Sequence, residues 1–126
     1  MVAADTNVLV RIFTADDPEQ TKRARRFVAS GAWVSHLVLV ETLWVLVSVY
    51  EQTKHEISHA VEMLLSNESI ILQEAETVAA ALKSFNEAKG VSFSDCLILA
   101  VARKAGHKPL GTFDTKLAKV DGAVLL

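Results

Sequence analysis

Four carboxylates stand where a folded chain can put them to chemical use: Asp5, Glu41, Asp95 and Asp114. Asp5 closes the apolar run Val2-Ala3-Ala4, and Asp114 follows Leu110 to Phe113, so both read as acids at strand exits. In an open parallel sheet, ligands bind beyond the carboxyl ends of the strands, which makes these two acids more informative than acids on helix surfaces. Each also has a plainer use, because an aspartate at a strand-to-helix junction caps the helix that follows. Asp95 stands three residues after Ser92 with capping-box spacing, in a first turn where the helix dipole favours an acid. Glu41 differs. At 100° per residue its nearest neighbours are Leu37, Val38, Trp44, Val45 and Ser48, an almost wholly apolar stripe. A lone charge buried there must be protonated, paired or bound to metal, and this helix has no basic residue one turn away. A distant Lys or Arg is the structural alternative.

Taken together, the four acids suggest one chemistry. Carboxylates gathered in a cleft raise one another's pKa values, so several ionised acids coexist only around a hard divalent cation. Oxygen ligands without His or Cys point to Mg²⁺ or Mn²⁺ rather than zinc. Such an ion orients or deprotonates water and binds phosphate oxygens, the equipment of a phosphodiesterase.

The elements that must position these acids follow from composition and punctuation. The 126 residues are 51% hydrophobic and 22% charged, with two prolines and five glycines, which fits one packed domain and excludes a disordered or low-complexity chain. A formal charge of -2 means that nucleic acid would have to be held by a local basic face or a bound cation. The single cysteine, Cys96, excludes a disulfide framework and a multi-cysteine zinc site, and suits a reducing, cytoplasmic setting. Asp17-Pro18-Glu19 starts a helix expected to reach Ser30 and stop at Gly31. Trp33 to Ser35 reads as strand, Leu37 to Tyr50 as an apolar helix, Thr53 to Ser66 as a helix with a capping box, and Ile70 to Leu72 as strand. Helices are expected over 75–89 and 94–105, ended by Gly90 and Gly106. The last strands are Leu110 to Phe113 and Ala123 to Leu126, with a helical turn between them. Strands alternating with helices predict an α/β fold, a central, mostly parallel sheet covered on both faces, in a single domain spanning 1–126.

In this order the motifs resemble the PIN-domain family, and within it the VapC-like toxin ribonucleases. The resemblance rests on Asp5-Thr6-Asn7 after an apolar strand, Glu41 in the helix after the second strand, Ser94-Asp95 opening a late helix, and Thr112-Phe113-Asp114 closing a late strand. Lys116-Leu117-Ala118 and the strand from Gly122 to Leu126 extend it over essentially the whole chain. It implies a PIN-like fold in which Asp5, Glu41, Asp95 and Asp114 hold Mg²⁺ or Mn²⁺ while Thr6 and Thr112 supply hydroxyls beside them. It also implies metal-dependent endonucleolytic cleavage of RNA, a homodimer, and inhibition by a cognate antitoxin protein. Cys96, beside Asp95, is assigned no chemistry. The apolar helix containing Trp44, Val45, Val47, Val49 and Tyr50 is more apolar than one sheet face needs, which suggests either a homodimer or complete burial within the monomer.

Competing signals are weaker. His55-Glu56-Ile57-Ser58-His59 matches the HExxH zinc-peptidase helix. Ile57, Ala60, Val61, Leu64 and Leu65 define the buried side of that helix, however, and both histidines project away from it; Glu62 and Leu65 stand where a metzincin needs Gly and His. A receiver-like phosphoacceptor domain suits the length and the early acid, and Lys108-Pro109 imitates its lysine-proline pair. Yet the middle of the chain is helix, and Lys108 precedes its strand. The stretch from Gly31 to Tyr50 is about long enough to span a bilayer, but Glu41 at mid-span would cost roughly 3 kcal/mol, so no membrane segment is expected. Asp5 likewise interrupts the apolar start before a signal peptide can form. Lys22, Arg23, Arg25 and Arg26, with Arg11, and the group Arg103, Lys104 and Lys108 are either RNA-tracking cations or solvated helix faces.

Overall fold

Short polar side chains at the helix starts set the boundaries of nearly every element. In the computed structural model, which describes residues 1–126, the chain forms two compact units, Met1–Gln73 and Glu74–Leu126. In the first unit, β1 (Val2–Ala3) runs through Asp5 into α1 (Thr6–Thr14), the helix that the Asp5 cap anticipates but whose extent the sequence left undrawn. α2 (Pro18–Val28) starts on Asp17, whose Oδ1 accepts the Gln20 amide at 3.0 Å, with Pro18 where a missing N–H costs nothing. Gly31 turns the chain at φ +109°, a conformation that suits only glycine, into β2 (Ala32–Val34). Ser35 then caps α3 (His36–Ser48) by accepting the Val38 amide at 3.1 Å. α4 (Lys54–Ser66) carries the complete capping box: Thr53 Oγ1 accepts the Glu56 amide at 3.2 Å, and Glu56 Oε1 accepts the Thr53 amide at 3.0 Å. β3 (Ile70–Leu72) ends the unit's sheet.

The three strands lie in the order β1-β2-β3, all parallel, with Val2 opposite Ala32, Ala32 opposite Ile70 and Val34 opposite Leu72. Parallel neighbours need long crossovers, which the helix pairs α1–α2 and α3–α4 supply. Ala32 and Val34 are fully buried, whereas Trp33 and Ile71, on the other face, are 41% and 44% exposed, so one face of this sheet is covered less completely than expected. α1 packs on α2 and α3, and α4 on β3. Leu9, Val10, Leu39, Leu46 and Val61 are among the most deeply buried side chains of the unit. Each such burial contributes roughly 1.5–3 kcal/mol.

The second unit packs α5 (Ala75–Glu87) on α6 (Phe93–Lys104), with Phe85 and Phe93 meeting edge to face at 5.9 Å between ring centroids. β4 (Leu110–Thr112) and β5 (Ala123–Leu125) pair in parallel, Leu110 opposite Ala123, across a 3₁₀ turn at Leu117–Lys119. The fold is α/β with parallel pairing throughout, as expected, but its strands form a three-stranded and a two-stranded sheet rather than one central sheet. No helix is long and apolar enough to cross a membrane, and the stretch from Gly31 to Tyr50 divides into β2 and α3.

Candidate acidic site

Asp5 sits directly beyond β1, in extended backbone geometry, exposed, with Oδ1 accepting the Val8 amide at 3.2 Å. Thr6, the first residue of α1, is buried. Asp5 therefore caps a helix, as the plainer reading held, and still has Oδ2 uncommitted beyond a strand end.

Asp114 is built the same way. It follows β4, is exposed, and accepts the amides of Lys116 and Leu117 on the single oxygen Oδ1 at 2.8 and 3.2 Å. Thr112 Oγ1 accepts the Asp114 amide at 3.0 Å, so this threonine and this aspartate are tied into one turn. Asp95 is half-buried at the start of α6, its amide accepted by Ser92 Oγ at 3.2 Å. Being in the first turn, its charge is favoured by the α6 dipole.

Glu41 requires a correction. The apolar stripe around it exists but faces outward: Leu37 is 79% and Trp44 67% exposed, and Glu41 itself is exposed. The buried side of α3 is Leu39, Thr42, Leu43 and Leu46. No counter-ion is needed, because the carboxylate keeps its water. The reason is physical: α3 is apolar nearly all round, so periodicity cannot tell which of its faces enters the core.

Asp5 and Glu41 belong to the first unit, Asp95 and Asp114 to the second, and neither unit by itself groups three His, Cys, Asp or Glu side chains that could hold a metal ion. The donor chemistry nonetheless suits a hard cation. Asp5 and Asp114 each spend one carboxylate oxygen on backbone amides and keep the other, and those amides hold the carboxylate in a fixed orientation.

The HExxH segment lies on α4 with His55, Glu56 and His59 all exposed, as expected from the buried Ile57, Ala60, Val61 and Leu64. The Thr53 backbone amide, followed by its hydroxyl, holds the Glu56 carboxyl below the usual range, the opposite of what a general base near neutrality needs. Sequence reasoning missed a set of lysines in the second unit, Lys83, Lys89, Lys116 and Lys119, which line one cavity with Arg103 and Lys104. They come from three separate segments, so no local pattern announces them.

The PIN domain family model matches residues 2–123 of this chain. Among curated proteins, none matches. The crystal structure of Mycobacterium tuberculosis VapC20, described as a Sarcin-Ricin loop cleaving toxin, is similar at 20% identity over 94% of this chain and 93% of that one, with a TM-score of 0.45.

Proposed function

This chain belongs to the PIN domain family, and from that premise we propose that it is a divalent-metal-dependent endoribonuclease, the toxin of a toxin-antitoxin pair, working in the cytoplasm. Because the family match runs across both units, residues 1–126 are taken as one functional domain. The observation that carries the reading is the pair of exposed aspartates at strand ends, Asp5 and Asp114, each with one oxygen fixed by backbone amides and one left for a ligand. A receiver domain is set aside by the family itself.

In the proposed mechanism Asp5, Asp95 and Asp114 would hold Mg²⁺ or Mn²⁺, and Glu41 would complete the set or position the attacking water. When bound, the ion lowers the pKa of a water and neutralises charge on the scissile phosphate. Thr112 keeps Asp114 oriented by accepting its amide, and Thr6 lends a second hydroxyl beside Asp5. Water adds to phosphorus, the bond to the 3′-oxygen breaks, and that oxygen leaves with a proton, giving 5′-phosphate and 3′-hydroxyl ends.

The test is to strip the protein of metal, incubate it with structured RNAs and add Mg²⁺ or Mn²⁺. Cleavage is expected only after addition, with 5′-phosphate ends; 2′,3′-cyclic phosphate ends would exclude the mechanism. In the same assay the His55→Ala, His59→Ala double variant should retain nearly full activity, and a large loss would restore the zinc reading.

We further propose a homodimer, formed through the outward face of α3. Leu37, Trp44 and Val47 are 49% to 79% exposed there, large apolar side chains gathered on one side of one helix. Light scattering at micromolar concentration should give a dimer for the parent and a monomer for Trp44→Lys. A monomeric parent would count decisively against it.

A further inference from the structure

The second unit carries a cavity of about 1130 Å³ walled by α5, the loop after it, α6 and the chain from Lys116 to Asp121. Six cations line it, Lys83, Lys89, Arg103, Lys104, Lys116 and Lys119, against the carboxylates of Glu76, Glu87 and Asp121. In a chain of net charge -2 this is a local excess of the opposite sign. Only Arg103 is paired: Nη1 donates to the Asp121 carbonyl at 3.1 Å, and Nη2 lies 3.7 Å from the Asp121 carboxylate, which is 97% exposed. The five lysines are exposed and make no ion pair. Ammonium groups gathered in one groove repel each other, and a polyanion relieves that repulsion.

Two glycines lie against the side chains of two of the cations. A Cβ at Gly90, whose φ is +71°, would fall 2.7 Å from Lys116 Cδ and 2.9 Å from its Nζ. At Gly122, with φ +95°, it would fall 3.0 Å from Arg103 Cδ. Both side chains therefore pass over backbone that carries no Cβ, at positions whose positive φ favours glycine. Lys116 also ties the groove to Asp114, since its amide donates to Asp114 Oδ1 at 2.8 Å.

We infer that this groove binds the sugar-phosphate backbone of the RNA substrate and leads it to Asp95 and Asp114, an assignment that rests on the ribonuclease reading. Lysines act on phosphates as point charges, and no aromatic residue lines the groove to stack a base, so contact is with the backbone and independent of sequence.

The test is fluorescence anisotropy of a short single-stranded RNA in EDTA, where no cleavage occurs, over a range of salt concentrations. Lys83→Ala and Lys116→Ala should each weaken binding several-fold at low salt and flatten the plot of log affinity against log salt by about 0.7. Their combination should do both additively, Lys116→Arg should keep the parental slope, and Lys22→Ala with Arg26→Ala on α2 should change neither quantity. No binding by the parent, or a parental slope in the double variant, overturns the inference. Displacement by polyglutamate as effective, charge for charge, as by RNA overturns the RNA assignment in favour of an acidic protein partner. Cleavage with Mn²⁺ separates the two readings: a parent that cleaves while the lysine variants bind normally defeats the groove alone. A parent that binds through the groove and never cleaves supports the groove and defeats the nuclease.

Discussion

Asp5→Asn and Asp95→Asn are each expected to reduce metal-dependent RNA cleavage by more than about 100-fold, the upper range for disturbing only the outer shell of a metal site, while leaving the fold intact. The two halves of that expectation come from different atoms of the same side chains. Asp5 Oδ1 caps α1 through the Val8 amide, and asparagine, which caps as well as aspartate, keeps that bond. What Asn removes is the negative charge of the oxygen left over. For Asp95 the cap belongs to Ser92, so the substitution removes only the favourable first-turn charge, worth roughly 0.3–1 kcal/mol. Thermal melts of the metal-free variants should therefore stay close to the parent. Asp5→Ala, by contrast, loses cap and ligand together and should be destabilised by about 1 kcal/mol as well as inactive. Parental activity in both Asn variants would remove these residues from the metal site. Loss of folding in both would mean that their charges serve the fold and not a metal ion.

The parts of this molecule that sequence reveals are those decided by neighbours along the chain. Asp17 with Pro18, Ser35, and Thr53 with Glu56 start helices because each satisfies orphan amides two or three residues on, an interaction too local for tertiary structure to override. Gly31, Gly90 and Gly106 end or follow helices at positive φ for an equally local reason. Glu41 was misread as buried because its surroundings along the helix are apolar, whereas its exposure is decided by which side of α3 meets α1. The basic groove was invisible for the complementary reason. Lys83, Lys89 and Lys116 stand on an α-helix and two loops, and only the packing of α5 on α6 and the turn after β4 turns them toward one cavity.

Expression of this chain alone should arrest growth, and expression with its neighbouring reading frame should restore it while a small protein co-purifies. On the proposed toxin reading, an active ribonuclease would endanger its own cell, and a partner would hold it inactive. The acids suggest how. Asp5, Glu41 and Asp114 are exposed, and Asp5 and Asp114 each have an oxygen not engaged by backbone. An arginine inserted by the partner would pair with the free oxygens of these carboxylates and occupy the place of the cation. The partner should then compete with Mn²⁺ and bind more weakly to Asp5→Asn and Asp114→Asn, even though both variants remain folded. Co-expression of the inactive Asp95→Asn variant should leave growth normal with or without the partner, which ties toxicity to cleavage rather than to the burden of expression. Unchanged growth with the active chain, and no small protein bound to it, would defeat the toxin-antitoxin reading and leave the nuclease to be judged by its products.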